Sequence, residues 1–145
     1  MPVSELTKHR VILEGMILKP SMVTSGDECA NLADVESVAR ATIRAFKRSV
    51  PAAMPGIVFL SGGQTSEQAT GHLNAMNRIG KMPWELSFSF GRALQEKPLK
   101  AWKGKPENVD LAQKILYHRA KCNGAARYGE YSEEMKKITD KKGGS

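Results

Sequence analysis

Three short apolar runs recur along the chain, and each gives way to a polar or glycine-rich stretch. Val11-Ile12-Leu13 leads through Glu14-Gly15 to Met16-Ile17-Leu18, which predicts a continuously buried strand. That run stops at Lys19-Pro20, because Pro20 lacks a backbone donor and pushes Lys19 out of helical geometry. Gly56-Ile57-Val58-Phe59-Leu60 predicts a second buried strand, running straight into Ser61-Gly62-Gly63-Gln64. Leu86-Ser87-Phe88-Ser89-Phe90 predicts a third. It alternates large apolar with small polar side chains, as a barrel strand with two different faces does.

Helical spacing fills the intervals. From Leu32 to Val50, the residues Val35, Val38, Ala39, Thr42, Ile43 and Phe46 form one stripe, with Glu36, Arg40, Arg44 and Lys47 opposite. Asp34 is the expected N-cap, and Pro51 and Pro55 close the helix. Thr65 or Ser66 can cap a second helix, with Gln68 near the capping-box position, carrying Ala69, Leu73, Ala75 and Met76 to about Gly80. Gly91-Arg92 opens a helix over Ala93 to Trp102. Glu107 to Asn123 forms the last, with Val109, Ala112, Ile115, Leu116 and Ala120 on its apolar side. Trp84 and Trp102 read as packing residues at helix borders. After Gly124 the chain turns polar and basic, predicting a short helix and a frayed end at Gly143-Gly144-Ser145.

The order β-α-β-α-β-α-α argues for parallel pairing and the α/β class. Polar or glycine-rich sequence follows the carboxyl end of each strand, where α/β proteins place their chemistry. Length adds a constraint: 145 residues make about one ordinary domain, whereas a closed eightfold (β/α) barrel needs about 250.

The net charge is +7, and residues 101–145 hold 10 basic and 6 acidic side chains. No basic run interleaves with aromatics, and aromatics are 6% of the chain, so a nucleic-acid stacking surface is not expected. A solvated helix face and tail account for the excess. No stretch approaches eighteen apolar residues, and Met1 to Arg10 has no signal-peptide core, so a cytoplasmic protein without membrane contact is expected. A plastid location stays open if a transit segment precedes Met1. Cys29 and Cys122 are far apart, with no CxxC pattern, and read as two reduced thiols. His9, His72 and His118 share no metal-ligand spacing and read as surface or core histidines. Glu14 reads as structural, near Lys19.

Three positions carry candidate chemistry. Lys19 ends the first strand, where its ammonium would project into a partly desolvated site; burial lowers a lysine pKa and frees the amine to attack a carbonyl. An ordinary strand-end lysine with its head in water is the alternative. In Ser61-Gly62-Gly63-Gln64, two glycines before a helix let bare backbone N–H groups converge on an anion. The same glycines also suit a tight turn that needs positive φ. Gly91-Arg92 repeats the placement after the third strand and adds a guanidinium able to grip phosphate with two hydrogen bonds; a surface arginine that starts a helix is the alternative.

These residues lie in segments that resemble class I fructose-bisphosphate aldolases. Leu13-Glu14-Gly15-Met16-Ile17-Leu18-Lys19-Pro20-Ser21-Met22-Val23 is similar to the family's Schiff-base segment, and Phe59-Leu60-Ser61-Gly62-Gly63-Gln64 to its phosphate loop. Leu73-Asn74-Ala75-Met76-Asn77, then Pro83 to Gln95, then Leu99-Lys100-Ala101-Trp102 continue the likeness, which covers about residues 8–128 and leaves 129–145 as a polar basic tail. The resemblance implies the last three βα units of a TIM barrel, with C-terminal helices. It implies a lyase that reversibly cleaves fructose 1,6-bisphosphate to dihydroxyacetone phosphate and glyceraldehyde 3-phosphate, in glycolysis and gluconeogenesis, without metal or other cofactor. By motif match Lys19 would form the Schiff base. Ser61, Gly62, Gly63, Ser89, Gly91 and Arg92 would hold the substrate's phosphates.

The sequence departs from the family in places. Phe90 stands where tyrosine often precedes the Gly-Arg pair, and the family's C-terminal tyrosine has no counterpart. The catalytic glutamate, a second lysine and an aspartate belong to earlier strands, about five of which have no counterpart in these 145 residues. Little activity is therefore expected of the chain alone. A non-catalytic module that self-associates, docks onto a full-length aldolase or only binds sugar phosphate remains the competing reading.

Overall fold

A computed structural model describes residues 2–26 and 28–137. Three strands form one parallel sheet in the order β1 (Ile17–Leu18), β2 (Gly56–Phe59), β3 (Glu85–Phe88). Helix α1 (Pro2–Lys8) precedes the sheet. Helices α2 (Val35–Ser49) and α3 (Ser66–Arg78) join its strands, and α4 (Arg92–Trp102) and α5 (Val109–Arg127) follow it. The expected α/β class and the parallel pairing are both present.

Local chemistry explains the boundaries. Asp34 Oδ1 accepts from Ser37 N–H at 2.7 Å, so α2 starts at Val35 and leaves Leu32 outside. That bond holds the Asp34 carboxyl below its ordinary range. Of the two candidate caps for α3, Thr65 takes the position. Its Oγ1 accepts from Gln68 N–H at 3.2 Å, and Gln68 Oε1 accepts from Thr65 N–H at 2.9 Å.

The core lies between the sheet and one helical layer. Ile57, Phe59 and Leu86 are buried under α2 and α3, with the Phe46 and Phe59 rings stacked 5.7 Å apart. Side chains alternate along a strand, and partners in register share a face. Leu18 pairs with Ile57, and Ile57 with Leu86, so these three face the helices. Ile17, Lys19, Val58, Leu60, Ser87 and Ser89 then belong to the opposite, helix-free face, the barrel-interior face of a (β/α)8 fold.

Several expectations are corrected. The buried strand predicted over 11–18 contracts to Ile17–Leu18, with a 3₁₀ turn at Leu13–Gly15 carrying an exposed Glu14. Ile12 is 74% and Ile17 64% exposed, because β1 has a neighbour on one side only among the described residues. Helix α1 has too short an apolar pattern to stand out in sequence. The α5 stripe is also different: Val109 and Leu116 are left partly exposed, and the buried residues are Arg119, Cys122, Asn123 and Ala126. The inward face is mixed: Cys122 and Ala126 join the core, while Arg119 and Asn123 meet polar groups on the first turns of α3. Trp84 is buried and donates Nε1–H to Pro51 O at 2.9 Å, whereas Trp102 is 42% exposed.

After α5 the chain stays attached. Asn74 Nδ2 donates to Tyr131 O at 3.1 Å, Tyr131 N–H donates to Asn74 Oδ1 at 2.9 Å, and the Tyr131 ring is buried. Where a short helix was expected, Glu133–Lys136 forms a 3₁₀ turn. The frayed end expected at Gly143-Gly144-Ser145 lies outside the described residues. Both cysteines are free thiols, Cys29 exposed and Cys122 buried.

Candidate active site

The carboxyl ends of the three strands are tied together by backbone bonds beyond the regular ladders. Leu60 N–H donates to Pro20 O at 3.1 Å, and Ser89 N–H donates to Phe59 O at 2.8 Å. Lys19-Pro20, Leu60-Ser61 and Phe88-Ser89 are thereby held side by side at one edge of the sheet. Lys19 is exposed, which corrects the partly desolvated position expected from its apolar strand. The flank of β1 is open, so nothing among the described residues displaces water from the ammonium.

The phosphate-loop candidate and the Gly-Arg candidate meet. Ser61 is buried, and its Oγ accepts from Ala93 N–H at 3.4 Å, at the first turn of α4. A Cβ built on Gly62 would stand 3.9 Å from Arg92 Nη2 and 3.3 Å from Leu60 Cδ1. The Gly62 backbone and the Arg92 guanidinium are thus near neighbours, and a methyl at Gly62 would ask Leu60 to give way by a few tenths of an ångström. Gly63 adopts φ +74°, and Gln64 N–H closes the turn on Ser61 O at 3.2 Å. Of the two sequence readings, the tight turn is present, with Gly63 supplying the positive φ. Gly91 caps α4 without a side-chain bond and leaves Arg92 exposed at the helix start. Ser89 is half-buried on the helix-free face.

Behind these loops lies an assembly that sequence reasoning missed. Arg119, on α5, is 2% exposed; its Nη2 donates to Ser66 O at 2.8 Å and to Thr70 Oγ1 at 2.5 Å. Thr70 Oγ1 also donates to Asn123 Oδ1 at 2.6 Å. Glu67 lies 3.7 Å from Arg119 Nη1 and accepts from Lys97 on α4. Burial alone would raise the Glu67 carboxyl; the Lys97 hydrogen bond and the Lys97 and Arg119 charges outweigh it and hold the group below its ordinary value. The buried guanidinium fastens α5 to the first turns of α3, and the Glu67–Lys97 ion pair fastens α3 to α4. Arg119 falls beside the predicted apolar stripe of α5, three residues after Leu116 and four after Ile115, but an arginine carries no apolar signal and so was not picked out.

Parallel strands backed by helices, with loops converging at the strands' carboxyl ends, define part of a (β/α)8 barrel. The chain belongs to the class I fructose-bisphosphate aldolases, whose family model (glycolytic, fructose-bisphosphate aldolase class-I) matches residues 2–143. It is similar to fructose-bisphosphate aldolase 1 of Toxoplasma gondii, 54% identical over 126 residues, covering 87% of this chain and 35% of that protein. It is likewise similar to the cytoplasmic isozyme of fructose-bisphosphate aldolase from Cicer arietinum, 58% identical over 127 residues, with 87% and 35% covered. Among solved structures it resembles the Plasmodium falciparum fructose-bisphosphate aldolase in a ternary complex with TRAP and a small molecule inhibitor. That likeness has a TM-score of 0.87 and 48% identity, and covers 90% of this chain and 38% of that one. The chain thus spans little more than a third of the length of these relatives.

Proposed function

We propose that the chain carries the nucleophile and phosphate grips of a class I fructose-bisphosphate aldolase. The observation that carries this reading is the convergence of Gly62 and Arg92, with Nη2 3.9 Å from where a Gly62 Cβ would stand, at the strand ends beside Lys19. The reaction is the reversible cleavage of fructose 1,6-bisphosphate. Backbone N–H groups of Gly62 and Gly63, the Ser61 and Ser89 hydroxyls, the Gly91 backbone and the Arg92 guanidinium hold phosphate. Lys19 Nζ attacks the C2 carbonyl, and water leaves to form a protonated imine. A base removes the C4 hydroxyl proton, the C3–C4 bond breaks, and its electron pair moves into the imine as an enamine. Glyceraldehyde 3-phosphate departs. Protonation at C3 and hydrolysis then return Lys19 and dihydroxyacetone phosphate. By the family resemblance that base belongs to strands earlier than those of this chain. The cytoplasmic naming of relatives such as the Cicer arietinum isozyme supports a cytoplasmic setting.

The open flank of β1 favours a second reading, in which the chain acts by docking. Ile12 and Ile17 present apolar surface beside a strand edge that no other strand pairs among the described residues, the kind of edge that recruits another strand. A second copy, or complementary strands of a longer aldolase, would cover it.

Borohydride trapping with dihydroxyacetone phosphate tests the first reading. The chain is expected to gain a reduced adduct on Lys19 once a complementary amino-terminal aldolase segment is supplied, and Lys19→Arg abolishes it. No adduct on Lys19 with or without that segment sinks the Schiff-base assignment. Sedimentation tests the second reading: a monodisperse monomer that ignores the supplied segment counts against docking.

A further inference from the structure

His72 is buried, with 6% of its surface exposed, on the second turn of α3, outside the residues assigned to phosphate. Its Nδ1 lies 2.6 Å from Gln64 Oε1. Gln64 directly follows Gly62-Gly63 and closes their turn through its own N–H. We propose that His72 is a positioning residue for the phosphate loop: by gripping the Gln64 side chain it holds the Gly62-Gly63 backbone in its anion-receiving shape. This rests on the phosphate-site reading above.

The physical case begins with the loop's composition. Two consecutive glycines have more conformational freedom than any other pair, and an anion cradle works only if that freedom is removed beforehand. At its start the loop is fixed by Ser61 Oγ, which accepts from Ala93 N–H. At its end it is fixed by the Thr65–Gln68 capping box. Between these anchors, the His72–Gln64 contact joins the residue after the glycines to a rigid helix. An amide oxygen can only accept, so Nδ1 carries the hydrogen. Burial keeps the ring below its ordinary pKa, so near neutrality it is a neutral donor fixed in one tautomer.

The test uses the 145-residue chain and inorganic phosphate, followed through the backbone amide signals of Gly62 and Gly63. His72→Phe keeps a ring and removes the donor; it is expected to weaken phosphate binding about tenfold, the size of one lost hydrogen bond. It should also speed hydrogen exchange of the Gly62, Gly63 and Gln64 amides. His72→Asn places a donor at the same distance from Cβ and should restore most of both. His72→Ala serves as a second donor-free variant if His72→Phe does not fold. Phosphate affinity and loop exchange both unchanged in a folded donor-free variant would overturn the proposal. Should the unaltered chain show no phosphate response at Gly62 and Gly63, the phosphate reading fails. Loop exchange without phosphate then decides alone: unchanged rates refute the positioning role, faster rates uphold it.

Discussion

Two glycines on either side of the α3 N-terminus respond to the same substitution with opposite sign. Gly63 stands at φ +74°, where a Cβ crowds its own backbone. Gly63→Ala should lower stability by about 1–2 kcal/mol, although no neighbouring atom obstructs the methyl. Gly71 lies inside α3 at ordinary helical angles, with nothing within 4 Å of a built Cβ. Gly71→Ala should raise stability by about 0.5–1 kcal/mol, by restricting the unfolded chain and improving helix propensity. Urea denaturation of the two variants checks the pair. Gly63→Ala as stable as the parent would mean that the turn relaxes to another conformation. Sequence alone offered both an anion cradle and a turn for Gly62-Gly63; the positive φ places the turn at Gly63.

At the scale of elements, α3 is the part that carries the candidate loop, and its start is fixed by side chains. Thr65→Ala removes the acceptor for Gln68 N–H and should cost about 1 kcal/mol, while Thr65→Ser retains most of it. Equal losses in the two variants, measured by thermal unfolding, would show that the hydroxyl is not the source. Elements governed by local chemistry were legible in the sequence. Asp34 and the Thr65–Gln68 pair announced their helices, and Ile57, Phe59 and Leu86 announced buried strands. Elements governed by distant partners were not. The run from Val11 to Leu18 is apolar enough to be buried, yet its exposure depends on a strand neighbour that local sequence does not reveal. On α5 the apolar spacing picked Val109 and Leu116, whereas burial went to Arg119 and Asn123, whose hydrogen bonds reach Ser66 and Thr70, about 50 residues away along the chain. The candidate site divides the same way: Lys19, Gly62 and Arg92 were visible as motifs, whereas His72, which meets Gln64 Oε1, was read only as a surface or core histidine.

At the scale of the molecule, the titratable groups inside the fold set how stability varies with pH. His72 and His118 are held below their ordinary 6.5, chiefly by burial and, for His118, also by the Arg119, Lys97 and Lys121 charges. Below pH 6.5 the unfolded chain binds protons that the native imidazoles resist, so acid favours unfolding. Glu67 acts in the same direction lower down. Its native pKa lies below 4.5, so its contribution is complete above that value and is lost as pH falls through the native pKa. On the alkaline side, burial raises the Cys122 thiol above 9.0 and the Tyr131 hydroxyl above 10.0. Their neutral forms support the fold below those values, and that support is lost as pH rises through the native pKa values. Stability should therefore plateau from about pH 6.5 to 9 and fall on both sides. Urea midpoints across pH 4 to 10 test this, and His72→Phe, by removing one buried imidazole, should flatten the fall between pH 6.5 and 5. A midpoint that rises on acidification from pH 7 to 5 would mean that His72 and His118 gain protons more readily in the native fold than in the unfolded chain. That outcome would contradict a ring buried against Gln64 and acting only as a neutral donor.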